Sequence, residues 1–280
     1  MRSSEGIPGG AARPTRRARR RIPDWLYGLG TVAALLALWE FASVQGWLGT
    51  HQLPPPSKLA GTFQQLLERG FPRGLTADVH IWATLWRIIR GYALATTLAL
   101  PLGILIGASP LLDRATAPVI TFARSVATIS LLPLAVAWFG VGEETRIFLI
   151  TYACFWIILT SVVDAVKGVP AVYIRAAETL GASRRQIFFQ VMLPASLPRI
   201  FAGMRVALGV AFLVIVAVEM IGTVTGLGAL IMEARTFYRS DIAVVGMIFI
   251  AIIGFAIAKV LDIAERLLLP WASSLDEVQR

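Results

Sequence analysis

The sequence predicts an all-α polytopic membrane protein with about six transmembrane helices, and three observations predict it. Of 280 residues, 56 % are hydrophobic and only 15 % charged, giving a mean hydropathy of +0.71. A soluble protein of that composition would expose patches large enough to aggregate. Six stretches each supply the roughly 20 apolar residues that cross a ~30 Å hydrocarbon core. The basic residues gather at the N-terminus and in particular loops, so the net charge of +9 describes a membrane topology rather than a nucleic-acid surface.

The chain opens with a basic tail, 1–24, containing RPTRRARRR. That cluster is expected to hold the N-terminus in the cytoplasm. The first span covers Trp25–Val44 within segment 25–52. A basic stretch before an apolar run also describes a signal peptide, but this run is long for one and no clear A-x-A site follows it. We therefore read a retained span. Segment 53–80, with LPPPSKLAGTFQQLLERG, places Leu59, Phe63, Leu66 and Leu67 at helical spacing before Gly70. Ser57 can cap this amphipathic helix, which is expected on the outer membrane surface or packed against a span.

The remaining spans, within segment 81–271, are Ile81–Ala108, Val119–Phe139, Ile147–Val166, Ile200–Ile221 and Ile242–Leu269. Residues 272–280 form a second cytoplasmic tail. Assigning each Lys and Arg to its nearer side gives 18 inside and 8 outside, which sum to the 26 present. Arg87 and Arg90 fall inside the outer end of span two, where they either snorkel to the interface or face a wet cavity. Pro101 and Pro133 interrupt spans two and three, and glycines such as Gly91, Gly103, Gly107 and Gly209 favour close helix approach.

The polar stretch RAAETLGASRRQIFFQVMLP, Arg175–Pro194, lies between two apolar runs and is cytoplasmic by parity. Its punctuation describes two short helices. Pro170 suits a first helical turn, and Gly181 suits the left-handed position that stops one. Ser183 and Gln186 form a capping box for the second helix, which Pro194 ends before span five begins. Spacing alone leaves two readings open: a docking surface for another protein, or a helix pair on anionic head groups.

Several chemistries are excluded. There is no G-x-x-x-x-G-K-[ST] phosphate loop, no H-E-x-x-H and no G-x-S-x-G elbow. Cys154 has no partner cysteine, and His51 and His80 are too far apart in sequence to suggest a zinc site. The chain is not expected to be an enzyme, so any energy it uses comes from a partner or an ion gradient. Three acidic residues lie in apolar runs. Asp164 has Lys167 three residues on, and a local ion pair explains it. Glu40 can reach head groups. Glu219, in VIVAVEMIGT, either meets external water or an arginine, or faces a cavity. A gradient-driven carrier or channel is the alternative class; it predicts internal repeats and midplane ionisable groups, which are not visible.

The stretch Arg175–Pro194 resembles the EAA loop of ABC-transporter membrane subunits: Glu-Ala-Ala, three residues, Gly, nine residues, Ile-x-Leu-Pro. Ala176, Ala177, Gly181, Leu193 and Pro194 match in register, Val191 replaces the isoleucine, and Arg175 stands where the family has glutamate, with Glu178 three residues later. From about Leu53 to Trp271, LPPPSKL, LPLAVAWFGVGEETRIF and TGLGALIMEARTFYRSD look like importer permeases of the nitrate, sulfonate, taurine and bicarbonate branch. The resemblance implies the type I importer fold, MetI-like, with five core spans preceded by one more. It implies a coupling loop built on the residues just named together with Ala182, Ser183 and Arg184. It implies a cytoplasmic ATPase dimer that binds the ATP and Mg, a second permease copy in a homodimer, and an extracytoplasmic substrate-binding protein, all at a bacterial inner membrane and without nucleic acid. Candidates for a translocation pathway or gate are Glu219 and Trp138 and, favoured by the resemblance, Gly226 and Gly228 of the glycine loop.

Overall fold

In a computed structural model, the structure describes residues 24–46, 53–72 and 74–270. Residues 1–23 of the basic tail, His51 and the last ten residues lie outside the described residues. Every regular element described is helical. In chain order they are α1 (Asp24–Val44), α2 (Pro56–Glu68), α3 (Ala77–Ala108), α4 (Pro110–Ser125), a 3₁₀ turn (Thr128–Leu131), α5 (Leu132–Phe139), α6 (Glu143–Lys167), α7 (Ala171–Thr179), α8 (Arg184–Gln186), a π-helical segment (Ile187–Met192), α9 (Leu193–Glu219), α10 (Leu227–Thr236) and α11 (Ser240–Leu268).

Among the described residues four helices are long and apolar enough to cross a membrane: α3, α6, the continuous rod Arg184–Glu219, and α11. α4 with the 3₁₀ turn and α5 is apolar enough to count as one span bent by 82°, which gives up to five candidate crossings among the described residues. α1 adds an apolar stretch at Gly30–Val44. The sequence places the interruption of span three at Pro133. In the structure the chain instead breaks at Val126 and Ala127, and Pro133 occupies the first turn of α5, where a missing N–H costs nothing. Tyr152 Oη donates to Ala123 O at 2.7 Å and so satisfies a carbonyl at the broken end of α4.

The centre of the molecule is α6, packed between α3 and α9. Small residues on α3 and α9 let the backbones close in: Ala95, Ala99 and Ala207 are fully buried beside Ile150, Ile158 and Val162. Gly103 shows why a side chain is absent there, since a Cβ would lie 2.7 Å from Val162 Cβ and 3.1 Å from Leu159 O. Cys154 belongs to this core as a small buried hydrophobe, its thiol 3.5 Å from Ala207 O. The faces turned outward remain apolar, with Leu98, Leu102 and Leu105 of α3 and Ile252, Phe255 and Ile263 of α11 exposed, as lipid-facing helices require.

A second core joins α2, α10 and α11 through Leu59, Leu66, Leu227, Leu230, Ile242 and Phe249. Of the two positions expected for the helix after LPPP, the packed one is therefore observed. Phe63 stacks on Phe249 at 4.9 Å, and Thr62 Oγ1 donates to Asp241 Oδ2 at 3.0 Å. Ser57 does not cap this helix: Pro55 holds the N-cap position without a side-chain bond, and both Ser57 N and Oγ donate to Glu40, at 3.1 and 2.8 Å. Glu40 therefore ties α1 to α2, a role the head-group reading missed. Lys167 likewise ignores Asp164 on its own helix and pairs with Asp113 of α4 at 2.7 Å. The reason is geometric, because α4 runs beside α6 and brings a carboxylate across the cleft.

Candidate functional site

Two constructions stand out, one at each end of the helical core. At the Lys167 end, α7 stops in a complete Schellman motif. Ala182 N–H donates to Ala177 O at 3.0 Å and Gly181 N–H to Glu178 O at 2.9 Å. Gly181 has φ +77°, a conformation that other residues rarely adopt, so this sharp stop depends on glycine. Ser183 then starts the next helix with a full capping box: its N–H donates to Gln186 Oε1 at 2.8 Å, and Gln186 N–H reaches back to Ser183 Oγ at 3.4 Å.

Leu180, between the two motifs, is 88 % exposed, and Val172, Tyr173 and Phe189 are exposed around it. Arg175, Ala176, Glu178, Ser183 and Arg184 are exposed too, while Ala177, Ala182, Val191, Leu193 and Pro194 are half-buried. One expectation is corrected here: the second helix does not end at Pro194. Leu193 N–H donates to Phe188 O, five residues back, so a π turn widens the helix just before the proline. The rod passes Pro194, which has no N–H to contribute, and continues to Glu219 as one element. This surface is thus continuous with a core helix.

At the opposite end, α3, α6, α9 and the start of α10 meet over a buried charge network. Glu219 is fully buried. It accepts hydrogen bonds from Arg87 Nη1 at 2.7 Å, from Thr84 Oγ1 at 2.9 Å and from the Gly228 N–H at 3.0 Å. Arg87 also forms a two-pronged pair with Glu143 at 2.7 Å and donates to Thr225 O at 2.7 Å. Arg146 completes the set, donating to Glu143 at 2.9 Å and to Gly222 O at 3.0 Å. Every charge is thus answered at short range, the condition under which buried ions are tolerated. Of the two readings for Arg87, neither snorkelling nor a wet cavity describes it. Arg90 differs, lying over the Trp86 ring at 4.3 Å.

The structure brings three of the sequence-selected residues, Glu219, Gly226 and Gly228, into this one network. Trp138 is not among them; it is 60 % exposed on α5 and packs edge-on against Phe139 and Phe148. The glycine loop is tied down at several points. His80 Nδ1 lies 2.9 Å from Gly226 O and its Nε2 3.0 Å from Phe71 O, and Leu227 N–H donates to Thr84. A Cβ on Gly226 would lie 2.4 Å from the Glu219 carboxyl carbon, at a backbone φ of +126°. Gly226→Ala is therefore expected to push Glu219 off Arg87 and cost about 2 kcal/mol, read as a lowered melting temperature of the purified protein. Arg87, Glu143, Arg146 and Thr84 were missed as members of the network. The available signal was the depth of Arg87, which called for a buried acidic partner. Among the described residues no group of His, Cys, Asp or Glu could hold a metal ion. Just before α11, the Arg239 guanidinium donates to the Asp241 carboxylate at 2.9 and 3.0 Å, which raises it above its ordinary range.

A core of long apolar helices, one of them bent, with a capped helical turn projecting from one end, describes a helical multi-pass membrane protein. Comparisons agree. Residues 99–274 match the family model described as binding-protein-dependent transport system inner membrane component, and the chain belongs to that family. It is 37 % identical over 246 residues to the taurine transport system permease protein TauC of Escherichia coli, covering 87 % of this chain and 88 % of that one. It is 32 % identical to the bicarbonate transport system permease protein CmpB of a Synechocystis species, covering 90 % and 91 %. The putative aliphatic sulfonates transport permease protein SsuC of Bacillus subtilis is 31 % identical, covering 92 % and 91 %. An inward-facing structure of the MetNI methionine ABC transporter shares the fold, with a TM-score of 0.57 over 67 % of this chain and 94 % of that chain. The chain is accordingly a multi-pass membrane protein and the permease subunit of an ABC importer.

Proposed function

We propose that this permease imports a small anion of the sulfonate, taurine, nitrate or bicarbonate type across a bacterial inner membrane, with both termini in the cytoplasm. An extracytoplasmic binding protein delivers the substrate to the Glu219 end. Two copies of the chain enclose the pathway, and a dimeric ATPase, which holds the ATP and Mg, grips the Leu180 turn of each. The observation that carries this reading is the Leu180 turn itself: a large apolar side chain is held out, 88 % exposed, between two rigid caps. An apolar knob presented this way suits a protein socket better than a charged lipid surface. Because the rod continues from Arg184 to Glu219, a pull on this turn reaches the network that holds α10.

The experiment is to replace Gly181 by valine and Ala177 by aspartate, together, in a reconstituted complex. Valine in the left-handed region costs about 1–2 kcal/mol locally and displaces Leu180. ATPase subunits should then fail to co-purify and uptake should fall at least tenfold. Co-purification with full uptake would remove the docking assignment.

A further inference from the structure

One arginine of α3 stands outside the charge network. Arg87 is answered by Glu143 and Glu219, but Arg90, three residues on, is exposed and forms no ion pair among the described residues. Its neighbours Ile89 and Leu94 are exposed apolar side chains, so the guanidinium lies on a lipid-facing stripe. A charge in that position calls for an oxyanion partner or a route to the interface.

The Arg90 guanidinium lies over the Trp86 ring at 4.3 Å, and Trp86 stacks in turn on Trp82 at 6.2 Å. This ladder climbs from Arg90 toward the start of α3, at the Glu219 end of the molecule. The indole covers one face of the guanidinium and leaves the N–H groups at its edge available to an oxyanion.

Beside the ladder, a groove of about 230 Å³ opens between α3, α9 and α11. Ile89 and Ala93 line it from α3, Leu208 from α9, and Val260 and Leu261 from α11. Tyr92 also borders it, but its hydroxyl is taken up, donating to Met204 O at 2.9 Å. By helical periodicity, Trp82, Trp86, Ile89, Arg90 and Ala93 all fall within an arc of about 100° on α3. The cation, the two indoles and the apolar groove are therefore neighbours on one surface.

We propose that this surface binds one anionic phospholipid from the leaflet at the Glu219 end. The phosphodiester sits on the edge of Arg90, a fork that matches two of its oxygens. The glycerol region lies against Trp86 and Trp82, and one acyl chain fills the α3–α9–α11 groove. A zwitterionic head group brings its own cation to the same place and so gains less from Arg90. The site goes beyond the transport reading and does not depend on it.

The test titrates the full-length chain in detergent micelles with phosphatidylglycerol, or with phosphatidylcholine of the same acyl chains, and counts bound lipid by native mass spectrometry. Wild type should retain one phosphatidylglycerol at least fivefold more readily than phosphatidylcholine. Arg90→Gln should abolish that preference and Trp86→Leu should reduce it severalfold. Ala93→Trp, which fills the groove, should lower retention of both lipids. Arg114→Gln, a change at another exposed arginine, should alter nothing. Each of these positions is exposed, so the variants should melt close to the wild type. Equal retention of the two lipids by wild type, or of phosphatidylglycerol by wild type and Arg90→Gln, overturns the site. Displacement of the lipid by millimolar inorganic phosphate also overturns it, because the ligand is then a free anion. Loss of a dimer of this chain in Arg90→Gln, with lipid retention unchanged, overturns it too and gives Arg90 a carboxylate partner on a second copy.

Discussion

Replacing Arg87 by leucine is expected to leave the chain unable to hold its Glu219 end together. The guanidinium contacts Glu143 twice, Glu219 once and Thr225 O once, and its removal strands a fully buried carboxylate. Breaking a buried pair from one side costs about 3–5 kcal/mol, a large part of a typical folding free energy. Lysine will not substitute, because a single ammonium cannot make four contacts spread over three elements. The expected readout is a severe loss of membrane-inserted protein and of thermal stability in nanodiscs. Adding Glu219→Leu to Arg87→Leu should recover part of the loss, because no uncompensated charge then remains at depth; Glu143, with a 49 % exposed side chain, keeps Arg146. Near-wild-type stability of the single variant would mean that the Glu219 carboxyl does not depend on Arg87.

The second large effect is expected at Gly103. Among the described residues the α3–α6 contact is the most extensive, and a Cβ at this position would meet Val162 Cβ at 2.7 Å. Leucine there must part the two helices, at a cost of about 3 kcal/mol or more. Alanine at Gly209, where nothing lies within 4 Å, should instead be neutral or slightly stabilising through its better helix propensity. Thermal unfolding of the two variants side by side measures the difference. If Gly103→Leu melts with the wild type, the two helices are not in the close contact described.

Much of this was legible in the residues because it is local. Helical spans follow from runs of apolar side chains, since a helix satisfies its own backbone in lipid. The Gly181 stop and the Ser183–Gln186 box follow from residues within six positions of one another, and both occur as spaced. The partners of Lys167, Glu40 and Ser57 were not legible. Each pairs with a residue 17 or more positions away, at 2.7 to 3.1 Å, and sequence spacing favoured a neighbour that geometry had turned aside. The continuous rod through Pro194 was missed for a related reason: a proline usually ends a helix, unless one widened turn precedes it.

By itself the sequence determined the solvent, the helical class, the capped turn on one face and the family to which the chain belongs, because composition and short-range spacing carry all four. Tertiary structure decided which charges meet. Arg87, Glu143, Arg146 and Glu219 come from three helices, and their meeting depends on how deep each span sits and how it is rotated. Those quantities are set by packing against neighbours such as the Gly103–Val162 contact, and no local pattern along the chain contains them.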